Sequence, residues 1–382
     1  MGRIATSFFG FFFSLVAATA PAQTIESSAG PLRAEVVAEG LTHPWAIAFL
    51  PDGRLLVTER PGRLRIIGAD GQPGAPVAGV PEVVDRRQGG LLDVALSPDF
   101  AQTGRLYLSY AEPPGPAGHW FGTGTAVMAA TLVLEGGSGR LTDQTVIFRM
   151  NDYTNSGVHY GSRIVVARDG NLWITLGDRG DGDRAQDPFD LAGAVVRIAP
   201  DGSIPADNPF ADGQNAHPAI WSLGHRNPQG ATLGPDGALW TVEHGARGGD
   251  EINRPEAGLN YGWPVISYGR HYSGLSIGIG TEAPGYEQPL HFWDPSIAPS
   301  GLAFYAGELF PEWQGDLLVG ALRDQMLVRL EIEAGEITGE ERLFQGAFGR
   351  IRDVRVGPEG AIYLATDEPG GRIIRILPGQ AG

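Results

Sequence analysis

A strand, a turn that resembles Pro-Asp-Gly and a second strand recur six times along this chain, and no other feature constrains its fold as tightly. The copies read AIAFLPDGRLLVTE from residue 46, DVALSPDFAQTGRLYLSY from 93, IVVARDGNLWITLGD from 164, GATLGPDGALWTVEHG from 230, GLAFYAGELFPEWQGDLLVGAL from 301 and DVRVGPEGAIYLATDEPG from 353. Asp-Gly between alternating strands is a strong hairpin signal, because glycine accepts the positive φ of a tight turn. The spacing of Leu64 and Ile66, Leu172 and Ile174, and Trp240 and Val242 has the period of a half-buried strand. Six copies leave room for roughly four short strands each, the size of a propeller blade. We therefore predict an all-β chain, a single six-bladed β-propeller over residues 23–382, closed by a strand near Arg372–Ile376 against the N-terminal segment. Irregular spacing between copies keeps a β-sandwich or two separate β domains as the alternative. The long gaps after the second, third and fourth copies are loops on which a rigid ring would carry a site.

Residues 1–22, MGRIATSFFGFFFSLVAATAPA, have one arginine, an apolar run and small residues ending near Ala22. This is the pattern of a cleaved secretory signal peptide and is too short for a membrane span. A soluble periplasmic or secreted protein without membrane insertion is the expectation. The formal charge of −16 becomes −17 when Arg3 is removed, which argues against nucleic-acid binding. Cysteine is absent, so thiol chemistry and disulfides are excluded and stability must come from the core. All 28 basic residues are arginine, which excludes Schiff-base chemistry on lysine. Neither H-E-x-x-H nor G-x-S-x-G occurs, and GTGTAV at 122 lacks the third glycine of a dinucleotide-binding turn.

Polar and charged groups concentrate in RRQGGLLDV (86–94), SGVHYGSR (156–163), GDRGDGDRAQD (177–187), SLGHRNPQG (222–230), EHGARGGDEIN (243–253) with NYGWP (260–264), and GRIRDV (349–354). Each alone has a bland explanation. His159 suits a structural histidine; Asp178, Asp181, Asp183 and Asp187 suit a solvated loop and miss the EF-hand register; Arg350 and Arg352 suit surface ion pairing. Most of them adjoin different copies of the repeat, however, and a ring would bring several to one mouth.

Together, HYGSR, LGDRG, GHRNPQG, EHGARGGDEIN, NYGWP, WDPSIAPSG and RIRDV resemble the soluble quinoprotein glucose and aldose sugar dehydrogenases, six-bladed propellers that use pyrroloquinoline quinone (PQQ) and calcium. The likeness runs from about Gly40 to Pro378 and is closer to the aldose sugar dehydrogenase branch, because the long insertions of the dimeric glucose dehydrogenases are missing. It implies that His159 is the base that deprotonates the anomeric hydroxyl, a role suited to a near-neutral pKa. The aspartate that precedes this histidine in the glucose dehydrogenase branch is Val158 here, so Asp178 is the group expected to orient the imidazole. Arg226 and Asn227 match the pair at the quinone oxygens, and Gln88 matches a glutamine beside substrate and cofactor. Arg350 and Arg352 match arginines that receive cofactor carboxylates; Arg323 stands where relatives usually carry lysine. Gly245 and Ala246 match the carbonyl ligands of the activating calcium, Ala246 in place of a common proline, and Glu251 with the Tyr261 carbonyl matches a second calcium site.

What the resemblance implies is oxidation of an aldose sugar at C1 to the lactone, with hydride transfer to PQQ and electrons passed to a soluble acceptor whose identity is not legible. The missing insertions point to a monomer. A calcium-dependent lactonase and a non-catalytic carbohydrate-binding propeller are the competing functions, the first disfavoured because a neutral lactone needs no receptor for three carboxylates. Tyr160 and Trp293 could serve as sugar platforms, with packed aromatics as the alternative.

Overall fold

The computed structural model describes residues 23–115 and 120–379. The predicted signal peptide lies outside the described residues. Six antiparallel sheets follow one another along the chain, and each copy of the repeat forms the first two strands of one sheet. Blade 1 holds Pro44–Phe49, Leu55–Glu59 and Arg63–Ile67; blade 2 holds Leu91–Leu96, Arg105–Glu112, Gly124–Glu135 and Ser138–Arg149. Blade 3 holds Ile164–Val166, Leu172–Thr175, Ala194–Ile198 and Ile220–Leu223; blade 4 holds Pro228–Leu233, Leu239–Glu243, Asp250–Asn253 and His291–Trp293. Blade 5 holds Pro299–Phe304, Leu317–Ala321, Met326–Glu333 and Glu336–Leu343. Blade 6 begins with Ile351–Val356, Ile362–Thr366 and Gly371–Pro378. The first strands touch in order around a circuit, and that of blade 6 returns to that of blade 1, so the fold is a six-bladed β-propeller.

Closure follows the prediction. Gly371–Pro378 pairs with Gly30–Leu41, which sets Ile374 opposite Val36, and Gln23–Ser27 adds an outer strand. Blade 6 thus has five strands and blade 1 only three, where four each were expected.

Of the predicted half-buried strands, Arg63–Ile67 alternates as expected, with Leu64 and Ile66 buried between half-buried arginines, whereas Leu172–Thr175 and Leu239–Glu243 are buried on both faces. Leu172 and Ile174 join the apolar cluster between blades 2 and 3, whereas the intervening Trp173 joins the cluster between blades 3 and 4. The period of two therefore assigns successive side chains to two neighbouring blades rather than to core and solvent. Six such clusters fill the six seams of the ring. Burial of each large aliphatic chain in them contributes about 1.5–3 kcal/mol.

A knot of four charges ties the inner strands at the axis. Arg163 pairs with Asp93 at 3.2 Å and Asp353 at 2.8 Å, and Arg355 pairs with the same two carboxylates at 3.1 and 2.9 Å. Asp93 also accepts the Ile164 amide at 2.8 Å, and Asp353 that of Ile47 at 2.9 Å, so blades 1, 2, 3 and 6 share one network. Buried charges survive only when paired and hydrogen-bonded in this way.

Candidate active site

On the face of the ring opposite the Asp-Gly turns, the segment before blade 3 folds into a tight turn with positive φ at Gly157 (69°), His159 (51°), Gly161 (61°) and Ser162 (89°). Glycine is needed at 161, where a Cβ would stand 2.6 Å from the Thr175 carbonyl oxygen. His159 and Ser162 have no such freedom, and a left-handed residue that is not glycine costs about 1–3 kcal/mol. Two hydrogen bonds hold the histidine there. Its amide donates to Gln88 Oε1 at 2.7 Å, and its Nδ1 donates to Asp178 Oδ1 at 2.6 Å. Asp178 is itself fixed by the Trp263 indole N–H at 2.8 Å and the Gly180 amide at 2.7 Å. Asp178 sits at the end of the second strand of blade 3, as the sequence reading expected of the group that orients the ring.

With Nδ1 committed to a carboxylate, Nε2 is the nitrogen able to accept a proton. Burial pushes the His159 pKa below its ordinary 6.5, and the Arg226 and Arg179 charges act in the same direction; the bond to Asp178 opposes them without reversing the shift. The imidazole is therefore neutral at neutral pH. Asp178 is held below the usual carboxylate range, burial being outweighed by His159, Arg226 and the Gly180 amide.

Two cavities flank the histidine turn, one lined by His159 itself and the other by Tyr160 and Gly161. One, of about 380 Å³, is lined by His159, Asp178, Arg226, Ala246, Trp263 and Tyr272 among others. The second, of about 170 Å³, runs toward the axis past Gln88, Tyr160, His244, Arg350 and Arg352, with Arg60 and Arg87 on its wall. Arg352 donates to Gln229 Oε1 at 2.9 Å and pairs with Asp367 at 3.0 Å; Arg350 reaches the same carboxylate at 3.4 Å. The Nε groups of Arg226 and Arg352 are buried without an acceptor among the described residues, and that of Arg60 lies 3.8 Å from Asp85. Unspent donors on a cluster of arginines suit a ligand that carries several carboxylates.

A third, narrow cleft beside Arg226 is lined by Gly245, Glu251 and Tyr261. Gly245 admits no side chain, since a Cβ would lie 2.1 Å from the Gly248 carbonyl oxygen, and its amide is anchored on Asp250 at 2.8 Å. Glu251 accepts the Asn253 side-chain amide at 3.2 Å, and its pKa is raised by burial and by the neighbouring Glu243 charge. No cluster of three or more His, Cys, Asp or Glu side chains suited to a metal occurs among the described residues. A cation in this cleft would depend on main-chain oxygen together with Glu251.

The structure thus gathers His159, Asp178, Arg226 and Ala246 in one cavity, Gln88, Arg350 and Arg352 in the next, and Gly245, Glu251 and Tyr261 in the cleft. Asn227 and Arg323 line none of them. Asn227 is buried and accepts the Gly161 amide at 3.2 Å, bracing the histidine turn from beneath, whereas Arg323 is exposed, donates to the Ser296 carbonyl and pairs loosely with Asp324 at 3.9 Å. Tyr160 is packed under a guanidinium, and Trp293 is buried with its indole on Glu340 at 3.0 Å, so packing takes both rings that were weighed as sugar platforms. Sequence reasoning missed Trp263 and Gln229, although both stand inside quoted motifs, because only the fold shows that one steadies Asp178 and the other joins Arg352 to Asn227.

The family model described as glucose/sorbosone dehydrogenase matches residues 41–375. An aldose sugar dehydrogenase of Escherichia coli strain K12 is 42% identical over 372 residues, which cover 96% of this chain and 98% of the relative. The apo-form structure of the soluble aldose sugar dehydrogenase from Escherichia coli aligns with a TM-score of 0.87 at 43% identity, covering 91% of this chain and 100% of that one. The PQQ-bound form of an aldose sugar dehydrogenase from Streptomyces coelicolor aligns with a TM-score of 0.74 at 27% identity, covering 91% and 98%.

Proposed function

The chain belongs to the glucose/sorbosone dehydrogenase family, and from that premise we propose that it oxidises aldose sugars at C1 to the lactone with PQQ and calcium. The observation that carries this reading is the neutral imidazole of His159, anchored through Nδ1 on Asp178 in a cavity that both line, on a turn whose Tyr160 and Gly161 line a second cavity walled by arginines. Arg226, Arg350 and Arg352 would hold the cofactor, a fit supported by the unspent Nε donors of Arg226 and Arg352. Arg323, exposed and loosely paired next to Leu322 on the wall of the second cavity, would contribute from outside it; Asn227 supports from below. The Gly245 and Ala246 carbonyls would hold the activating calcium, with Glu251 and the Tyr261 carbonyl at a second ion.

When bound, the quinone supplies a two-electron acceptor for the C1 hydride, and calcium polarises it. The chain's own residues do the rest. His159 Nε2 takes the proton of the anomeric hydroxyl as the C1 hydrogen leaves, and Asp178 stabilises the imidazolium so formed. Gln88 and Asn227 fix the turn that carries His159, and Trp263 keeps Asp178 from rotating away. The Arg226 guanidinium, always charged, offsets negative charge that develops beside it.

We read residues 1–22 as a signal peptide cleaved near Ala22 and residues 23–382 as one exported, monomeric catalytic propeller that passes its electrons to a soluble acceptor. No helix among the described residues is long and apolar enough to cross a membrane. Dye reduction by the purified apo-protein with glucose and other aldoses, with PQQ and calcium added singly and together, tests the function. Activity only with both supports it; absence of activity and of PQQ binding refutes it.

A further inference from the structure

Among the described residues six arginines are buried: Arg163, Arg179, Arg197, Arg226, Arg329 and Arg352. Four of them pair with carboxylates. The two that make no carboxylate pair among the described residues, Arg226 and Arg179, both contribute charge to the environment of His159. Arg226 faces a cavity and is part of the site above. Arg179 does not: it is 1% exposed, and its partners are all neutral. Its guanidinium lies 3.5 Å from the centroid of the Tyr160 ring, and Nη2 donates to Thr123 at 3.4 Å (O) and 3.3 Å (Oγ1). Nη1 donates to the carbonyl oxygen of Val158, and Nε has no acceptor. Val158 and Tyr160 are the two neighbours of His159 in the chain. Asp178, next to Arg179, is already occupied by His159, Trp263 and Gly180.

A sealed cation that pairs with no carboxylate costs several kcal/mol, and the Asp178 charge that favours it acts without a hydrogen bond to it. Packing alone does not explain it, since a neutral side chain of similar length would fill the space without that cost. We propose that Arg179 is a positioning residue for His159, clamping the turn on both sides of the base and keeping a permanent positive charge behind the imidazole. The inference rests on His159 acting as the base. Its distinctive element is persistence. An anionic ligand in the cavities can cancel the field of Arg226 but cannot reach Arg179, so Arg179 opposes the imidazolium whether or not the site is filled. The other groups facing His159 are Asp178, Asp181 and Asp183 from the same loop, Arg226 before blade 4, His244 after its second strand, His271 from the long loop and Arg87 beside Gln88. None of them combines a fixed charge with complete burial and freedom from a carboxylate.

The test is an NMR titration of the His159 ring in apo-protein, which needs no turnover and so stands apart from any failure to oxidise sugars. In Arg179→Gln the midpoint rises above wild type, and in Arg179→Lys, which keeps the charge, it stays near wild type. Equal midpoints in Arg179→Gln and wild type would overturn the proposal, as would a rise of the same size in Arg179→Lys. If Arg179→Gln does not fold, amide exchange in Arg179→Lys decides. A single ammonium cannot hold the Val158 and Thr123 carbonyls while stacking on Tyr160, so exchange across 157–161 speeds up; unchanged exchange refutes the clamp. In the holoenzyme both variants should lose kcat with KM nearly unchanged.

Discussion

Asp178→Asn isolates the contribution of the imidazole anchor. Three N–H groups converge on this carboxylate: His159 Nδ1 and the Gly180 amide on Oδ1 at 2.6 and 2.7 Å, and the Trp263 indole on Oδ2 at 2.8 Å. A carboxamide has only one oxygen to offer. Placed at the Oδ1 position, that oxygen keeps His159 and Gly180 but turns an NH2 group toward the Trp263 N–H. Placed at the Oδ2 position, it keeps Trp263 but sets NH2 against the Gly180 N–H, and it forces His159 to carry its proton on Nε2, the nitrogen that must be free. Either way a buried donor faces a donor, a loss of about 1–3 kcal/mol. The negative charge that stabilises the imidazolium is also gone, so kcat should fall by about 100- to 10,000-fold, the range of a lost general base. Cofactor affinity, measured by fluorescence titration, should not change, because Asp178 touches none of the arginines around the second cavity. Asp178 is one of the influences that raise the His159 pKa, so the acid limb of the residual rate should move to lower pH in the variant. A kcat within about threefold of wild type, less than 1 kcal/mol on the barrier, would show that the anchor is structural and the argument wrong.

For the wild-type enzyme, the acid limb of kcat/KM should have its midpoint below 6.5, because the neutral imidazole persists to lower pH than in a free histidine; a midpoint at or above 6.5 contradicts the burial argument. Arg352→Ala should weaken PQQ binding by about 2–4 kcal/mol while leaving the fold intact by circular dichroism, since the arginine is lost from a buried, charge-paired position. The Glu251 pKa is raised, so its contribution to stability is present below the ordinary carboxylate pKa and is lost as pH rises through the folded value. Calcium should therefore raise the melting temperature more at alkaline than at acidic pH, and Glu251→Gln should melt higher than wild type in chelator yet gain less from calcium. Ile374→Ala, in the closing strand and fully buried, should cost about 2–5 kcal/mol in denaturant titration.

The repeat was readable because each copy carries its own turn residues and its own alternation, both local properties. What the period of two could not reveal was that Trp173 and Leu172 face different blades, since an outward position in a propeller is another core. Polar residues divided in the same way. His159 stands just before the third copy of the repeat and Asp178 at its end, and the site loops were recognisable from their glycines. Arg179, three letters into LGDRG, reads as one more charge in a solvated loop until the fold seals it beneath Tyr160. Gln229 and Trp263 act through partners far away in sequence, such as Arg352 and Asp178, and no spacing within a motif encodes such contacts.

The pairing of Gly30–Leu41 with Gly371–Pro378 also determines when this protein can finish folding. The strand that completes blade 6 is among the first parts of the described chain to be synthesised, and its partner is among the last. Until residue 378 emerges, every earlier blade has to wait with one seam of the ring open and apolar surface uncovered, and contacts of such long range are slow to form. Emergence of Gly371–Pro378 is therefore the event that converts five stacked sheets and two loose ends into a molecule with a mouth, and a chain cut before Gly371 should accumulate as an unclosed, protease-sensitive species rather than as a slightly shorter enzyme.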